Sequence, residues 1–417
     1  MSKINDMLAE LCPNGVEFFS LNEIFDLKNG YTPSTKNPEF WTNGTINWFR
    51  MDDIRTNGRI LSDSIRKVSS KAIKGGRLFE PNSLIVATSA TIGEHALITV
   101  PFMCNQRFTC LTRKDAFQNR LDMKFVLYYA DVLDTFCIRN TNKGGFSSVS
   151  MSAFKSFPFP VPPLDIQREI VRVLDSFMEL EAELEAELEA RRMQYAYYRH
   201  QLLSRDNLKQ LTGSNVDFCH LGDLCDTLTG YPFKSAEFQN EGILVVRGMN
   251  VKRGVLDFSP ANNRYWQSSH ELERYLLQRN DIIVAMDGSL VGKSLGIFDG
   301  EKQALLGQRL TRIRCNSRTC ISSYIFNCLS DGLLTEMTEQ RKTSGAVPHI
   351  SLKDIQSIEV PIPPLPVQQR VVDILDRFDA LTSSLTDGLP AEIEARRRQY
   401  EFYRDRLLDF PRREVDS

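Results

Sequence analysis

Seven residues, Gly288-Ser289-Leu290-Val291-Gly292-Lys293-Ser294, come nearest to a phosphate cradle in this chain. They follow an apolar stretch, Asp281–Met286, as a phosphate-binding loop follows its strand. Only three residues separate the glycines where that loop needs four, so the ring of backbone N–H donors would be one short. The matching stretch earlier in the chain, Ala87–Glu94, has no Lys-Ser at all. A structural or DNA-facing hairpin is therefore expected, not phosphate catalysis. His95, His200, His220, His270 and His349 are scattered, and no nucleophile is paired with any of them. The motifs G-x-S-x-G, H-E-x-x-H and D/N-P-P-Y/F are absent, as is a Gly-rich loop suited to S-adenosylmethionine. Nine cysteines, odd in number and without a C-x-x-C pair, predict reduced thiols of a cytoplasmic protein. Cys219, His220 and Cys225 lie close together but lack a second ligand pair, so no metal centre is expected. The expectation is of a chain with no catalytic residues and no covalent chemistry of its own.

The elements that would position any functional residue are written twice. Pro162, Pro163, Leu164, Gln167, Leu174, Asp175 and Phe177 return as Pro363, Pro364, Leu365, Gln368, Leu375, Asp376 and Phe378, an offset of 201. EARRMQYAYYRHQLL (189–203) returns as EARRRQYEFYRDRLL (394–408), an offset of 205. A period near 200 residues is far beyond the ~20–50 of solenoid repeats and marks a duplicated module. Each copy holds a globular head and then a long helix. The heads match through LNEIFDLKNGY (21–31) and LGDLCDTLTGY (221–231), NSLIVAT and NDIIVAM, and QRFTCL and QRLTRI. Short β-like runs at Ile46–Phe49, Leu84–Ala87 and Phe108–Leu111, with a helical stretch at Asp122–Phe136, predict mixed α/β heads.

In the connectors the prolines stop the preceding strand, Asp165 is placed to cap, and an amphipathic helix runs to about Leu203. Ile166, Ile170, Val173, Phe177, Leu180 and Leu184 alternate four and three apart, as a coiled-coil seam does. A literal ELEA repeat over 179–190 sets Leu180, Leu184 and Leu188 four apart, a stutter. The seam resumes at Tyr195, Tyr198 and Leu202. The second connector runs through Phe378, Leu381, Leu385, Leu389 and Ile393 to Tyr400, Tyr403 and Leu407. It carries one extra four-residue unit, and Asp387, Gly388 and Pro390 predict a break or restart. A helix of ~39 residues is ~58 Å long, too long to bury its stripe on its own head. The expected partner is its duplicate, antiparallel about an internal pseudo-two-fold, with a head at either end. The predicted division is a first head over 1–157, a helix over 158–206, a second head over 207–357 and a helix over 358–410.

With 417 residues, 42% hydrophobic and 25% charged, the chain has the composition of a soluble globular protein. No apolar run approaches the ~20 residues of a membrane span, and the N-terminus lacks a signal-peptide core. Net charge is −2, but its distribution is uneven. The glutamates at 179–189 make the first connector acidic, 1–156 is modestly basic, and 215–357 is close to neutral. A basic head on an acidic connector is compatible with DNA contact.

The paired V-P-P-L-D-I-Q-R-E-I and I-P-P-L-P-V-Q-Q-R-V blocks, the paired E-A-R-R-x-Q-Y blocks and the Gly-Tyr openings of both heads resemble the specificity (S) subunit of a Type I restriction–modification system. That resemblance spans essentially the whole chain. It implies two target recognition domains, each reading half of a bipartite site in double-stranded DNA. It implies helices that set the spacing and dock two methyltransferase (M) subunits, with restriction (R) subunits joining the complex. S-adenosylmethionine, ATP and Mg would belong to those partners and none to this chain. Two other readings stay open: a recognition subunit of another DNA modification assembly, such as one working with a Type IIG-like enzyme, and a non-DNA coiled-coil scaffold.

Within that resemblance, residues repeated in both heads are the candidates for DNA contact. Arg50 with Asp52 and Asp53, and Arg247 with Asn250, follow an apolar strand; arginine can grip guanine bidentately and asparagine adenine. Gln106-Arg107 and Gln308-Arg309 precede another strand. Thr88, Ser89 and Thr91 match Asp287 and Ser289 as polar loops. Tyr31 and Tyr231 follow glycines, with Lys234 close to the second. Lys143 and Lys342 lie on glycine-containing loops suited to phosphate contact. For helix pairing and partner docking the candidates are Leu180, Leu184, Leu188, Tyr195, Tyr198, Leu385, Leu389, Tyr400 and Tyr403.

Overall fold

A strand buried on both faces is the organising element of each head. Ser83–Ala87 reads as one apolar run, SLIVA, and every residue of it is buried. Its alternate side chains serve two cores. Leu84 and Val86 join the cluster under the helix Met123–Arg139, while Ile85 and Ala87 join Phe49, Phe102 and Phe108 on the opposite face. Ile282–Ala285 does the same in the second head: Ile282 and Val284 belong to one cluster, Ile283 and Ala285 to another.

The computed structural model of the chain describes residues 2–73, 75, 78–142, 147–288, 291–341, 349–383 and 388–413. They divide into two compact units, Met1–Glu183 with Glu394–Ser417, and Leu184–Ile393. In the first unit a five-stranded sheet runs in the order Phe25–Asn29, Phe108–Arg113, Ser83–Ala87, His95–Ile98, Ile60–Leu61, antiparallel but for the last pair. A three-stranded sheet sets Ile46–Phe49 between Lys67–Val68 and Phe102–Cys104. The second unit repeats both. Its larger sheet is Cys225–Thr229, Leu310–Cys315, Ile282–Ala285, Leu295–Ile297, and its smaller one is Tyr265–Trp266, Ile243–Val246, Ala304–Leu306. The mixed α/β expectation holds, and the duplication extends to strand order. The edge strand Ile60–Leu61 of the first head is reduced in the second to a single parallel bridge, Arg253 with Leu295.

The recurring glutamine has a physical reason. Gln167 is fully buried; its Oε1 accepts the Asp122 N–H at 2.8 Å, and its Nε2 donates to Arg120 O at 2.7 Å and Pro162 O at 2.6 Å. Gln368 accepts from Ile321 N–H at 3.0 Å and donates to Thr319 O at 3.1 Å and Pro363 O at 2.8 Å. In each copy one amide locks the start of the connector helix to the loop that enters the head's own helix.

The first connector is one helix, Leu164–Leu203, of 40 residues. It begins directly after the prolines, which places Asp165 in the first turn and not at the cap. There its charge offsets the positive end of the helix. The second connector is Leu365–Ser383 and Leu389–Leu407, with Pro390 in the first turn of the latter, where proline is tolerated. Gly388 precedes that restart; Asp387 lies outside the described residues.

Within the first unit the helices run antiparallel. Phe177 stacks on Tyr403 (5.5 Å between centroids, 25°), and one turn further along Glu181 accepts from Arg397 at 2.5 Å. Ascending one helix thus descends the other. In the second unit Tyr198 stacks on Phe378 at 5.4 Å and 30°. The phenylalanine and tyrosine of each connector therefore meet the tyrosine and phenylalanine of the other.

Candidate nucleic-acid interface

Gly30-Tyr31 and Gly230-Tyr231 sit where the two sheets of a head join. The Gly30 N–H donates to Phe108 O at 2.9 Å and the Tyr31 N–H to Cys104 O at 2.7 Å; Gly230 and Tyr231 bond Leu310 O and Leu306 O at 3.0 and 2.9 Å. A Cβ on Gly30 would stand 2.1 Å from Asn105 O, and one on Gly230 1.9 Å from Gly307 O. Glycine is required by that close approach. The tyrosines are half-buried. Tyr31 packs with Trp41 and Trp48 and accepts the Trp48 indole N–H at 3.0 Å, while Tyr231 lies edge-on to Phe233 and Tyr275 at 5.0 and 5.3 Å.

The same junction carries the Gln-Arg pairs on its outside. Gln106 and Arg107, like Gln308 and Arg309, occupy the tight turn from the small sheet into the large one, and all four are exposed. The Arg107 N–H donates to Asn105 Oδ1 at 3.0 Å, and Thr32 donates its hydroxyl to Gln106 Oε1. Arg309 has φ 67°, a left-handed turn position. Its Nε lies 3.5 Å from Asp287 Oδ2, with 70% of the arginine side chain exposed.

In the second head these residues open onto a cleft of about 460 Å³, lined by Phe238, Arg247, Met249, Asp287, Gln308 and Arg309 among others. Arg247 is held over Phe238 at 5.4 Å and donates from Nη2 to Asn262 O at 2.9 Å. Its Nε is buried without a hydrogen-bond partner, and among the described residues no carboxylate pairs with it. Burial, with the Arg264 charge nearby, pulls its pKa below the ordinary guanidinium value. A half-buried guanidinium lining a cleft, with no carboxylate beside it, suits a phosphate oxygen or a base edge.

Asn250 does not face that cleft. It is fully buried, its Oδ1 accepting the Arg247 N–H at 3.0 Å and its Nδ2 donating to Asp257 O at 2.9 Å. Asp53 takes the same place in the first head: it is fully buried and accepts from Arg50 N–H at 2.7 Å and Ile65 N–H at 2.6 Å. What recurs is thus an arginine followed by a polar residue that closes the turn and aims it. Arg50 is half-buried 5.7 Å from the Trp48 ring, with Nη2 3.3 Å from the exposed Asp52. Its Nε also lacks a partner.

Of the remaining candidates, Thr88 is buried and bonds Thr109 Oγ1 at 2.8 Å. Ser89 bridges Ser148, and the Thr91 N–H donates to Ser89 O at 2.9 Å. Lys234 is 81% exposed beside Glu237. Lys143, Ser289 and Lys342 lie outside the described residues. Met249 and Lys252 line the cleft and were not singled out from the sequence; the one signal was an exposed apolar residue in the Arg247–Asn250 turn.

On the helices, Leu180, Leu184, Leu188 and Leu389 are half-buried and Leu385 is outside the described residues. Tyr195 donates its hydroxyl to Asn327 Oδ1 at 3.3 Å, and Tyr400 is buried in the first unit's core.

Residues 13–190 and 213–395 each match the Type I restriction modification DNA specificity domain. The chain belongs to that family. It is 39% identical to the EcoprrI specificity subunit of Escherichia coli over 89% of this chain and 90% of that one. It is 34% identical to the EcoR124I/EcoR124II specificity subunit of Escherichia coli over 72% and 74%. A chain solved for complex assembly and conformational transition of the type I R-M system shares the fold, with a TM-score of 0.66, 15% identity and coverage of 95% and 98%. The protein is the DNA specificity subunit of a Type I restriction–modification system, with two target recognition domains. It is a non-catalytic component of the complex, and the cofactors belong to the M and R subunits. Among the described residues no helix of this S subunit is long and apolar enough to cross a membrane.

Proposed function

We propose that the sheet-junction turn of each head is its DNA-reading edge, one half of a bipartite site being read by each. The cleft that gathers Arg247, Gln308, Arg309 and Asp287 carries this reading. Exposed Gln-Arg pairs can reach base edges, while Arg247 and Arg50 are aimed by buried polar residues behind them. Thr91, Ser89, Gln106 and Arg107 fill the corresponding role in the first head. Lys234, with Lys143 and Lys342, supplies phosphate contacts, and Tyr31 and Tyr231 shape the junction.

In this reading 1–157 and 207–357 are the recognition domains, and 158–206 and 358–410 the spacer helices, in a cytoplasmic complex with two M subunits and the R subunits. Met178 (41% exposed) and Phe402 (54%) on the first unit's helices, and Met193 (62%) and Tyr197 (61%) on the second's, are large apolar side chains left in solvent and suit M docking.

The test uses the S subunit assembled with M, on duplex carrying the site found by sequencing the methylome of cells with and without this gene. Arg309→Ala should weaken binding by about 1–3 kcal/mol, relaxing choice in one half-site if the contact is to a base. If it meets a phosphate, the salt slope should fall by about 1 with base choice unchanged. Unaltered affinity, salt slope and base choice for Arg309→Ala and Arg247→Ala together would place the reading edge elsewhere.

A further inference from the structure

Three cysteines meet at one point in the second head. Cys225 and Cys315 are directly opposite each other across antiparallel strands, with their sulfurs 3.5 Å apart. The Cys320 sulfur lies 4.0 Å from that of Cys225, and all three sit within 4.8 Å of one another without a disulfide. Four ligands around zinc at ~2.3 Å per Zn–S bond would hold sulfurs ~3.8 Å apart. The observed 3.5 and 4.0 Å bracket that spacing, whereas a disulfide requires ~2.05 Å.

The surroundings fix this arrangement. The turn between Cys315 and Cys320 is tied down by Asn316 N–H to Leu224 O (3.3 Å) and Cys320 N–H to Asn316 O (3.0 Å). Gln368 then clamps Cys320 from both sides, bonding Thr319 O and the Ile321 N–H. Leu224 O and Asn316 O stand 3.8 and 3.7 Å from the Cys320 sulfur.

The duplicate supplies the contrast. The strand pair that sets Cys225 opposite Cys315 sets Phe25 opposite Arg113 in the first head. The residue clamped by the latch glutamine, Cys320, corresponds to Leu121. There the buried Phe25 ring fills the space, edge-on to Phe159, and Arg113 donates to Leu121 O. All three positions differ between copies, and all three differ by becoming cysteine.

We propose that Cys225, Cys315 and Cys320 form a three-thiolate site for a thiophilic divalent ion, of which zinc fits the spacing, with the fourth position left to an oxygen ligand. Such an ion staples the neighbouring strands Cys225–Thr229 and Leu310–Cys315 of the second head's large sheet to the loop that Gln368 locks to the connector helix. Binding replaces thiol protons by the metal, so protons are released as it enters.

The experiment takes the full chain, purified with its M partner, and adds zinc or cobalt(II) alone. One metal per chain is expected. With cobalt, near-ultraviolet thiolate-to-metal charge transfer should appear together with visible bands of tetrahedral cobalt. Zinc should protect Cys225, Cys315 and Cys320 from alkylation, read by peptide mass spectrometry, and leave the half-buried Cys12 and Cys219 unprotected. Cys320→Ser should weaken binding more than the ~10–100-fold that loss of an outer-shell partner costs. Should that variant fail to fold, protection and cobalt spectra of the unaltered chain still decide. Absence of charge transfer in folded protein, equal alkylation with and without zinc, a native Cys225–Cys315 disulfide, or unchanged binding by Cys320→Ser would each overturn the site.

Discussion

Asn250 and Arg247 stand three residues apart in one turn, yet one faces inward and the other faces the cleft. Asn250 hydrogen-bonds the turn that holds Arg247, so Asn250→Ala leaves the Arg247 N–H and Asp257 O unsatisfied inside the protein. Loss of about 1–3 kcal/mol is expected, read as a lower denaturant midpoint at unchanged slope. The recognised bases should stay the same, since the side chain never reaches the surface. From sequence alone the asparagine reads equally well as a base reader, because its orientation depends on Asp257, seven residues away. Cys225, Cys315 and Cys320 were equally illegible: 90 and 95 residues separate the first from the others, and only strand register brings them together. A simpler charge effect sits in the first unit. Hydrogen bonds from Arg172 and Lys3 push Glu169 down to about 2, from an ordinary 4.5. Its ionised form is the stabilised one, so its contribution is present above pH ~4.5 and is lost as pH falls toward 2. Both partners are about two-thirds exposed and screened, which limits the effect to roughly 0.2–1 kcal/mol. The melting temperatures of wild type and Glu169→Gln should differ by a constant amount from pH 7 to 5 and converge below that.

Elements were far more legible than side chains, for a definite reason. The connectors announce themselves because a four–three spacing of Ile166, Ile170, Val173 and Phe177 admits one period, and two prolines mark the start. The strand Ser83–Ala87 is legible as an apolar run, but its service to two cores appears only when alternate residues are assigned to clusters. The compact units were not legible. Each takes in the end of the connector that starts in the other copy: Tyr400, Leu407 and Phe410 join the first core, and Leu203 the second. A linear reading assigns those residues to spacers because helix periodicity says nothing about which core a helix end enters. The latch glutamines make the element-scale prediction. Gln167→Leu removes three hydrogen bonds to main-chain groups and buries them unpaired. It should cost more than Asn250→Ala, several kcal/mol, and loosen the helix start. Hydrogen exchange should rise at Asp122 and through the first turns of Leu164–Leu203 while the Ser83–Ala87 strand stays protected. Exchange rising equally across the whole head would mean that the glutamine merely fills the core.

At the scale of the molecule the connectors are unequal in length by one unit, the four extra residues that shift the offset from 201 to 205. The heads differ in side chains and in loop lengths, the offset moving between 198 and 202 across their matched blocks, whereas the connectors keep one seam and differ by a whole four-residue unit. What is read and how far apart it is read are thereby separable. The ELEA repeat lies inside the continuous helix Leu164–Leu203, where removal of four residues keeps both the charge pattern and the leucine spacing. Deleting one unit shortens that helix by about 6 Å and turns one end by about 40°. If the helix sets the gap, the preferred separation of the half-sites should shrink by one to two base pairs, at ~3.4 Å each along the duplex. Both half-sequences should remain unchanged, because no residue of the junction turns is touched. Methylome sequencing of cells carrying the deletion reads both quantities at once. A gap that stays the same length, or half-sequences that change, would show that spacing is set by the partner subunits and not by this helix.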